Sequence, residues 1–274
     1  MKKLLCVLLF VCLFASTAFA SHRVGVLKNL NVTEEEFQRF VEERQKNGQT
    51  QIFSTTTRED PVFVFFDTFM AMQMALNAGN IDEILLPEDT AEYLINVTEK
   101  YYYVACVVRT TPITLNFGFR ANDDPALKNK FNEAIMSMKA DGTLAILEDK
   151  YIANAGIGDP EPVELGRYEN IDKTITVAVT GDIPPIDFVN AEGKPAGFST
   201  AVIAEIAKRL KINVELVNID AGARASSLAS GRSDVVFWFQ SYKNLDGTQP
   251  DIPKGIVLSE PYYQWNEFFH IAKR

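Results

Sequence analysis

The sequence predicts an α/β protein of two similar lobes, each built on a largely parallel sheet. Three observations carry that expectation. Short apolar runs alternate with amphipathic helical stretches along most of the chain, as parallel strands joined by helical crossovers require. The spacing Leu76-x-x-Gly79-x-x-Asp82 recurs as Leu228-x-x-Gly231-x-x-Asp234, each time between a helix and an apolar strand. Between the copies, Ala153 to Asp172 holds Gly156, Gly158, Pro160, Pro162 and Gly166 among acids, the composition of a surface linker.

The elements follow in order. Arg23 to Leu27 alternates as a strand, and Val32 to Gln45 reads as a helix with Thr33 as N-cap and acids in its first turn. Phe63 to Phe66 is an apolar strand, Thr68 to Leu76 a helix stopped at Gly79, Ile84 to Leu86 a strand, and Glu88 to Ile95 a helix. Pro112 to Arg120 alternates as a strand. Asp124-Pro125 then opens a helix to Lys139, and Asp141-Gly142 turns into another that ends near Tyr151. Beyond the linker come a strand at Thr174 to Val179, a helix at Ala201 to Leu210, a strand at Asn213 to Val217, a helix at Ala223 to Ala229 and a strand at Val235 to Phe239. In the recurring motif the glycine supplies a left-handed helix end and the aspartate opens the turn into the sheet.

The first twenty residues read as a secretion signal. Lys2 and Lys3 precede the apolar stretch Leu4 to Phe14, and Ala18-Phe19-Ala20 is a small-residue cleavage site, so the exported chain is expected to begin at Ser21. The apolar stretch is too short for a membrane anchor. Val11 before Cys12 does not fit a lipoprotein signal. Charged residues are 23 % and apolar residues 47 % of the 274, an ordinary globular composition with enough chain for two cores. The formal charge is −9, and losing two lysines with the signal makes it more acidic. Nucleic acid and anionic lipid would repel such a surface. Cys106 is the cysteine left after cleavage, and it reads as a buried strand thiol rather than a nucleophile. His22 and His270 stand at opposite ends of the exported chain, which argues against a histidine-based metal site or triad. No phosphate-cradling glycine loop or metalloprotease helix is present, so no cofactor and no catalytic residue is expected.

At the level of whole strings, "GDIPPIDFVNAEGKPAGFSTAVIAEIAKRL" followed by "SLASGRSDVV" resembles the first lobe of the type II solute-binding proteins of bacterial ABC importers, in the family 3 group that captures polar amino acids. "LSEPYY" is similar to the segment that leads into that family's hinge. "RVGVLKN" and "FFDTFMAMQMALNAGNIDEILL" resemble its second lobe, and "NFGFRANDDPALKNKFNEAIMSMKADGTLAILEDKY" its return strand and final helices. The resemblance covers nearly all of the exported chain, in changed order. It implies the periplasmic binding protein type II fold, with two Rossmann-like lobes on central mixed sheets joined by a two-stranded hinge, here circularly permuted. The implied division is lobe 2 over 21–111, the return hinge strand and helices packed on lobe 1 over 112–152, a linker over 153–172, and lobe 1 with the outgoing hinge strand over 173–274. Permutation is tolerated where chain ends lie together at the surface.

The resemblance implies a cleft between the lobes, with contacts from Thr180, Asp182, Arg224, Trp238, Gln240 and Ser241 on one side and from Lys28, Asn29, Asn31 and Glu88 on the other. It departs from the amino-acid binders in two places. They hold the ligand carboxylate with an arginine where "FWFQSYKNLDG" has none, and the ammonium with an acid where Pro87 stands, Glu88 being nearest. Ile183 and Ala221 replace expected aromatic walls, while Trp238 and Phe239 put an apolar wall on the other side. The reading is a monomeric, extracytoplasmic binding protein that captures a small polar solute, amino-acid-like or a small carboxylate or amine, for a membrane permease or a sensor receptor. Two other readings are an enzyme of the same fold, dehydratase-like, working through Asp182, Asp187 or Glu88, and a non-binding scaffold whose cleft Trp238 and Phe239 fill.

Overall fold

A computed structural model describes residues 21–28, 35, 38–39, 42, 61–99, 101–157, 162–169, 174–241 and 252–274. The expected signal and the expected helix from Val32 to Gln45 lie outside the described set, wholly or for the most part.

The strands are β1 (Arg23–Leu27), β2 (Val62–Phe66), β3 (Glu83–Pro87), β4 (Tyr102–Arg120), β5 (Thr174–Val179), β6 (Asp182–Ile183), β7 (Asp187–Val189), β8 (Pro195–Ala196), β9 (Asn213–Asn218), β10 (Val235–Ser241), β11 (Ile256–Leu258) and β12 (Tyr263–Lys273). The helices are α1 (Phe69–Asn77), α2 (Glu88–Val97), α3 (Ala126–Ala140), α4 (Thr143–Glu148), α5 (Phe198–Leu210) and α6 (Arg224–Ala229). Eight strands run in the order β2-β1-β3-β12-β4-β10-β5-β9, with β11 also on β4, and β6-β7-β8 form a small separate sheet. The architecture is therefore mixed α/β on a central mixed sheet.

Two copies of one pattern make up this sheet. In the first, β2-β1-β3 are parallel and β12 lies antiparallel beside β3. In the second, β9-β5-β10 are parallel and β4 lies antiparallel beside β10. The repeated Leu-x-x-Gly-x-x-Asp motif does the same work in each. Gly79 and Gly231 both have φ of +73°, a left-handed conformation that glycine adopts without steric cost. The Asp82 carboxylate accepts from Arg23 N at 2.7 Å while Asp82 N donates to Arg23 O at 2.9 Å. The Asp234 carboxylate accepts from Thr176 N at 2.9 Å while Asp234 N donates to Thr176 O at 2.9 Å. Each aspartate thus clasps the first strand of its own half in both directions, fixing where the third strand enters the sheet.

The long strands β4 and β12 cross both halves. They pair antiparallel from Tyr263↔Leu115 to Lys273↔Tyr102, although they are far apart in sequence. Their ladder is interrupted once between the halves: Trp265 pairs with Ile113, but Glu267 pairs with Arg109. Asn266 on one strand therefore faces the longer stretch Thr110 to Pro112 on the other. This bulge allows Pro112 inside a strand, because proline's missing N–H costs no ladder bond at a break.

Each half has its own core. Phe117, Phe131, Ile135, Ile175, Val177, Phe198, Val202, Phe237, Tyr262 and Trp265 pack in the β5 half. Met72, Leu76, Ile84, Leu86, Leu94, Tyr102 and Ile271 pack in the β1 half. Burial of such side chains contributes about 1.5–3 kcal/mol each.

Three expectations need correction. The stretch from Ala153 to Asp172 is not a free surface linker where it is described: Val163 is buried and donates to Pro195 O, and Tyr168 exchanges two hydrogen bonds with the Asn213 side chain. Phe239 does not line a pocket. It is fully buried against Ala178, Ile219, Leu228 and Val236, and a Cβ on Gly118 would come within 2.1 Å of its ring. Cys106 is half-buried rather than buried.

Candidate ligand-binding site

Because β3 runs antiparallel to β12, its last residue, Pro87, pairs with Phe268, next to the break in the hinge ladder. Because β10 runs antiparallel to β4, its last residue, Ser241, pairs with Thr114, on the other side of the same break. The C-terminal ends of parallel strands in both halves therefore converge on the joint, and such ends are where ligands bind in α/β sheets.

On the β5 side, the chain leaving β5 is held by Asp187, which is 1 % exposed. Its carboxylate accepts from Thr180 N at 3.3 Å, Thr180 Oγ1 at 3.2 Å and Gly181 N at 2.5 Å. Asn218 Nδ2 donates to Thr180 O at 2.9 Å. Thr180 stands at the strand end as expected, with its hydroxyl committed to Asp187. The first amides of α5 are also committed, Phe198 N to Pro185 O and Ser199 N to Ile186 O. Gly197, with φ of +99°, is required there, since a Cβ would sit 2.7 Å from Pro185 O.

Gln240 is half-buried and Ser241 buried at the end of β10, where Ser241 O accepts from Thr114 Oγ1 at 3.2 Å. Arg224 opens α6, is 4 % exposed, and lies over the Phe239 ring at 5.9 Å. The side chains of Asp182 and Trp238 lie outside the described set.

On the β1 side, Lys28 is exposed and paired with Asp67 at 3.0 Å, an arrangement worth little in water. Asn29 and Asn31 lie outside the described residues. Glu88 is the first residue of α2, beside the joint.

Asp89, next to Glu88, accepts from Tyr263 Oη at 2.6 Å and from Trp265 Nε1 at 2.7 Å, both on β12. Burial pushes its carboxyl above the usual range, and these two hydrogen bonds partly offset that. The neighbouring acids shift the same way. Glu88 is raised by burial and then by Asp89, Glu267 and Glu92. Glu92 is raised by burial and Asp89. Glu148 on α4 is raised by burial and Asp89, with Lys139 opposing. The Tyr263 phenol is pushed well above its ordinary value by burial and Asp89. The acid pair opening α2 was visible in the sequence, whereas its partners on β12 and α4 were not.

The two histidines also meet, against expectation. His270 Nδ1 lies 2.8 Å and His22 Nε2 3.2 Å from the same Glu83 oxygen, with His270 and Glu83 buried. The His270–Glu83 hydrogen bond ties β12 to β3, while His22 Nε2 lies beside it without a hydrogen bond, and among the described residues no group of His, Cys, Asp and Glu is arranged to hold a metal ion. No described helix is long and apolar enough to cross a membrane.

Comparison with known proteins bears on the β5 half. Similar solved folds include the ligand-binding component of an ABC-type import system from Staphylococcus aureus, at 9 % identity and TM-score 0.42, covering 92 % of this chain and 66 % of that one. Another is the VFT2 domain of BvgS from Bordetella pertussis, at 11 % identity and TM-score 0.43, covering 93 % and 81 %. A third is a putative L-cystine ABC transporter protein from Listeria monocytogenes, at 11 % identity and TM-score 0.41, covering 93 % and 83 %. The chain thus spans just under two thirds of the length of the first of these. In sequence, residues 175–244 match the family model of the bacterial extracellular solute-binding proteins, family 3.

Proposed function

We propose that this protein is an extracytoplasmic solute-binding protein whose two halves act as lobes that capture a small polar ligand at the hinge and present it to a permease or sensor receptor. The observation that carries this reading is the convergence of strand ends from both halves on the break between β4 and β12. Capture needs little more. Contacts made only in the closed state favour closing, and micromolar affinity asks for about 8 kcal/mol. We read the order of the lobes as a circular permutation and the first twenty residues as a cleaved signal.

The ligand we favour is an amine. Glu88 and Glu148, half-buried, and the exposed Glu92 stand near Asp89, each held toward its neutral form by desolvation and like charge. A cationic ligand would relieve that repulsion. Of the residues put forward for contact, Thr180, Gln240, Ser241 and Glu88 lie at the converging strand ends, and Asp182 and Trp238 belong to the same loop and strand. Lys28 is paired with Asp67, and Arg224 lies over the Phe239 ring. Asp187 serves the fold rather than acid–base chemistry.

A thermal-shift screen over amines, amino acids, organic acids and peptides tests this, each ligand being recovered afterwards for mass analysis. Amines are expected to raise the melting temperature and return unchanged. The raised carboxylates take up protons above the ordinary range, so the shift should shrink as pH falls from 7 toward 5. Stabilisation by organic acids alone, or stabilisation that grows in acid, overturns the ligand class. Conversion of the ligand overturns the binding role.

A further inference from the structure

We propose that Asp89 is a latch that holds the two halves together before any ligand arrives, by tying α2 of the β1 half to the part of β12 that belongs to the β5 half.

The ladder break makes the assignment possible. Tyr263 and Trp265 pair with Leu115 and Ile113 on the β5 side of the break, and both rings pack with that half's core. Asp89 sits on a helix packed against the other side, yet its carboxylate takes both the Tyr263 hydroxyl and the Trp265 indole N–H. The two hydrogen bonds therefore span the joint rather than either half. Further contacts along the same helix agree. The Tyr93 ring lies 6.0 Å from Phe188 on β7, and a Cβ on Gly156 would be 3.1 Å from Asn96 Cβ. Helix α1 likewise lies against β6. All of these are the chain's own groups meeting across the joint.

Physically, the latch is a balance. A buried carboxylate among Glu88, Glu92 and Glu148 is costly when ionised. Two donors fixed on a strand compensate, since hydrogen bonds to a charged acceptor are the stronger kind. Opening the halves exposes Asp89 to water but strips two donors from it, so the closed arrangement persists until something replaces them. The latch thereby sets the fraction of open molecules to which a ligand has access. It needs no assumption about which ligand that is.

The test uses the full exported chain without ligand. Small-angle scattering should give a compact particle for the wild type. Asp89→Ala, which removes the acceptor of both hydrogen bonds, should raise the open population by about tenfold, visible as a larger radius of gyration, if the loss amounts to about 1.4 kcal/mol. Tyr263→Phe combined with Trp265→Phe removes the donors while keeping apolar rings, and should move the radius the same way. Circular dichroism establishes that each variant is folded. If Asp89→Ala does not fold, the double variant decides. A folded variant with the wild-type radius overturns the latch whether or not any solute binds, and an enlarged radius supports it even if the solute screen finds nothing.

Discussion

Glu83→Ala should lower the melting temperature by about 10 °C, the largest effect expected for a single side chain far from the joint. Glu83 is 3 % exposed and is the hydrogen-bond partner of His270, which is fully buried. Removing the acid leaves the buried His270 Nδ1 without its hydrogen-bond partner, which costs up to about 3 kcal/mol. In a chain of this size each kcal/mol moves the transition by about 2–4 °C. Glu83→Gln keeps an oxygen in place and should lose less. Thermal unfolding followed by circular dichroism checks both, and an alanine variant that melts with the wild type would remove the tie from the account.

Asp187→Ala should be nearly as damaging and should also abolish ligand-induced stabilisation. Its carboxylate is the common acceptor for two backbone amides and one hydroxyl in the turn after β5. Deleting it leaves the buried Thr180 N–H without that acceptor, at a cost of about 3 kcal/mol. The same turn carries Thr180 and Asp182 to the strand end, so a loosened turn misplaces them. Differential scanning with and without the stabilising amine separates the two losses. A variant that is less stable but still gains the full ligand shift would show that this turn does not shape the site.

Much of the fold was legible because its signals are local. β5 begins at Thr174 and ends at Val179 as read, and the repeated glycine and aspartate fell at matching turns because left-handed φ and the strand clasp make the same demand twice. Local signals misled where tertiary context decided. Pro112 read as the start of a strand, yet β4 runs from Tyr102 because the partner strand slips at that proline. Phe239 read as a pocket wall, but β10 is buried on both faces, so alternation along it carries no information about direction. The site was half legible. Strand-end residues such as Thr180, Gln240 and Glu88 follow from the element order. The Asp89 partners and the Glu83–His270 hydrogen bond join residues far apart in the chain, and no pattern in a single stretch announces them.

Hydrogen–deuterium exchange with and without the stabilising amine is the most direct test of capture between lobes. Slower exchange is predicted in both halves at once, in peptides covering Thr180 to Asp187 and the end of β10 on one side, and Glu88 to Tyr93 on the other. Protection confined to one half, with the melting temperature still raised, would contradict it.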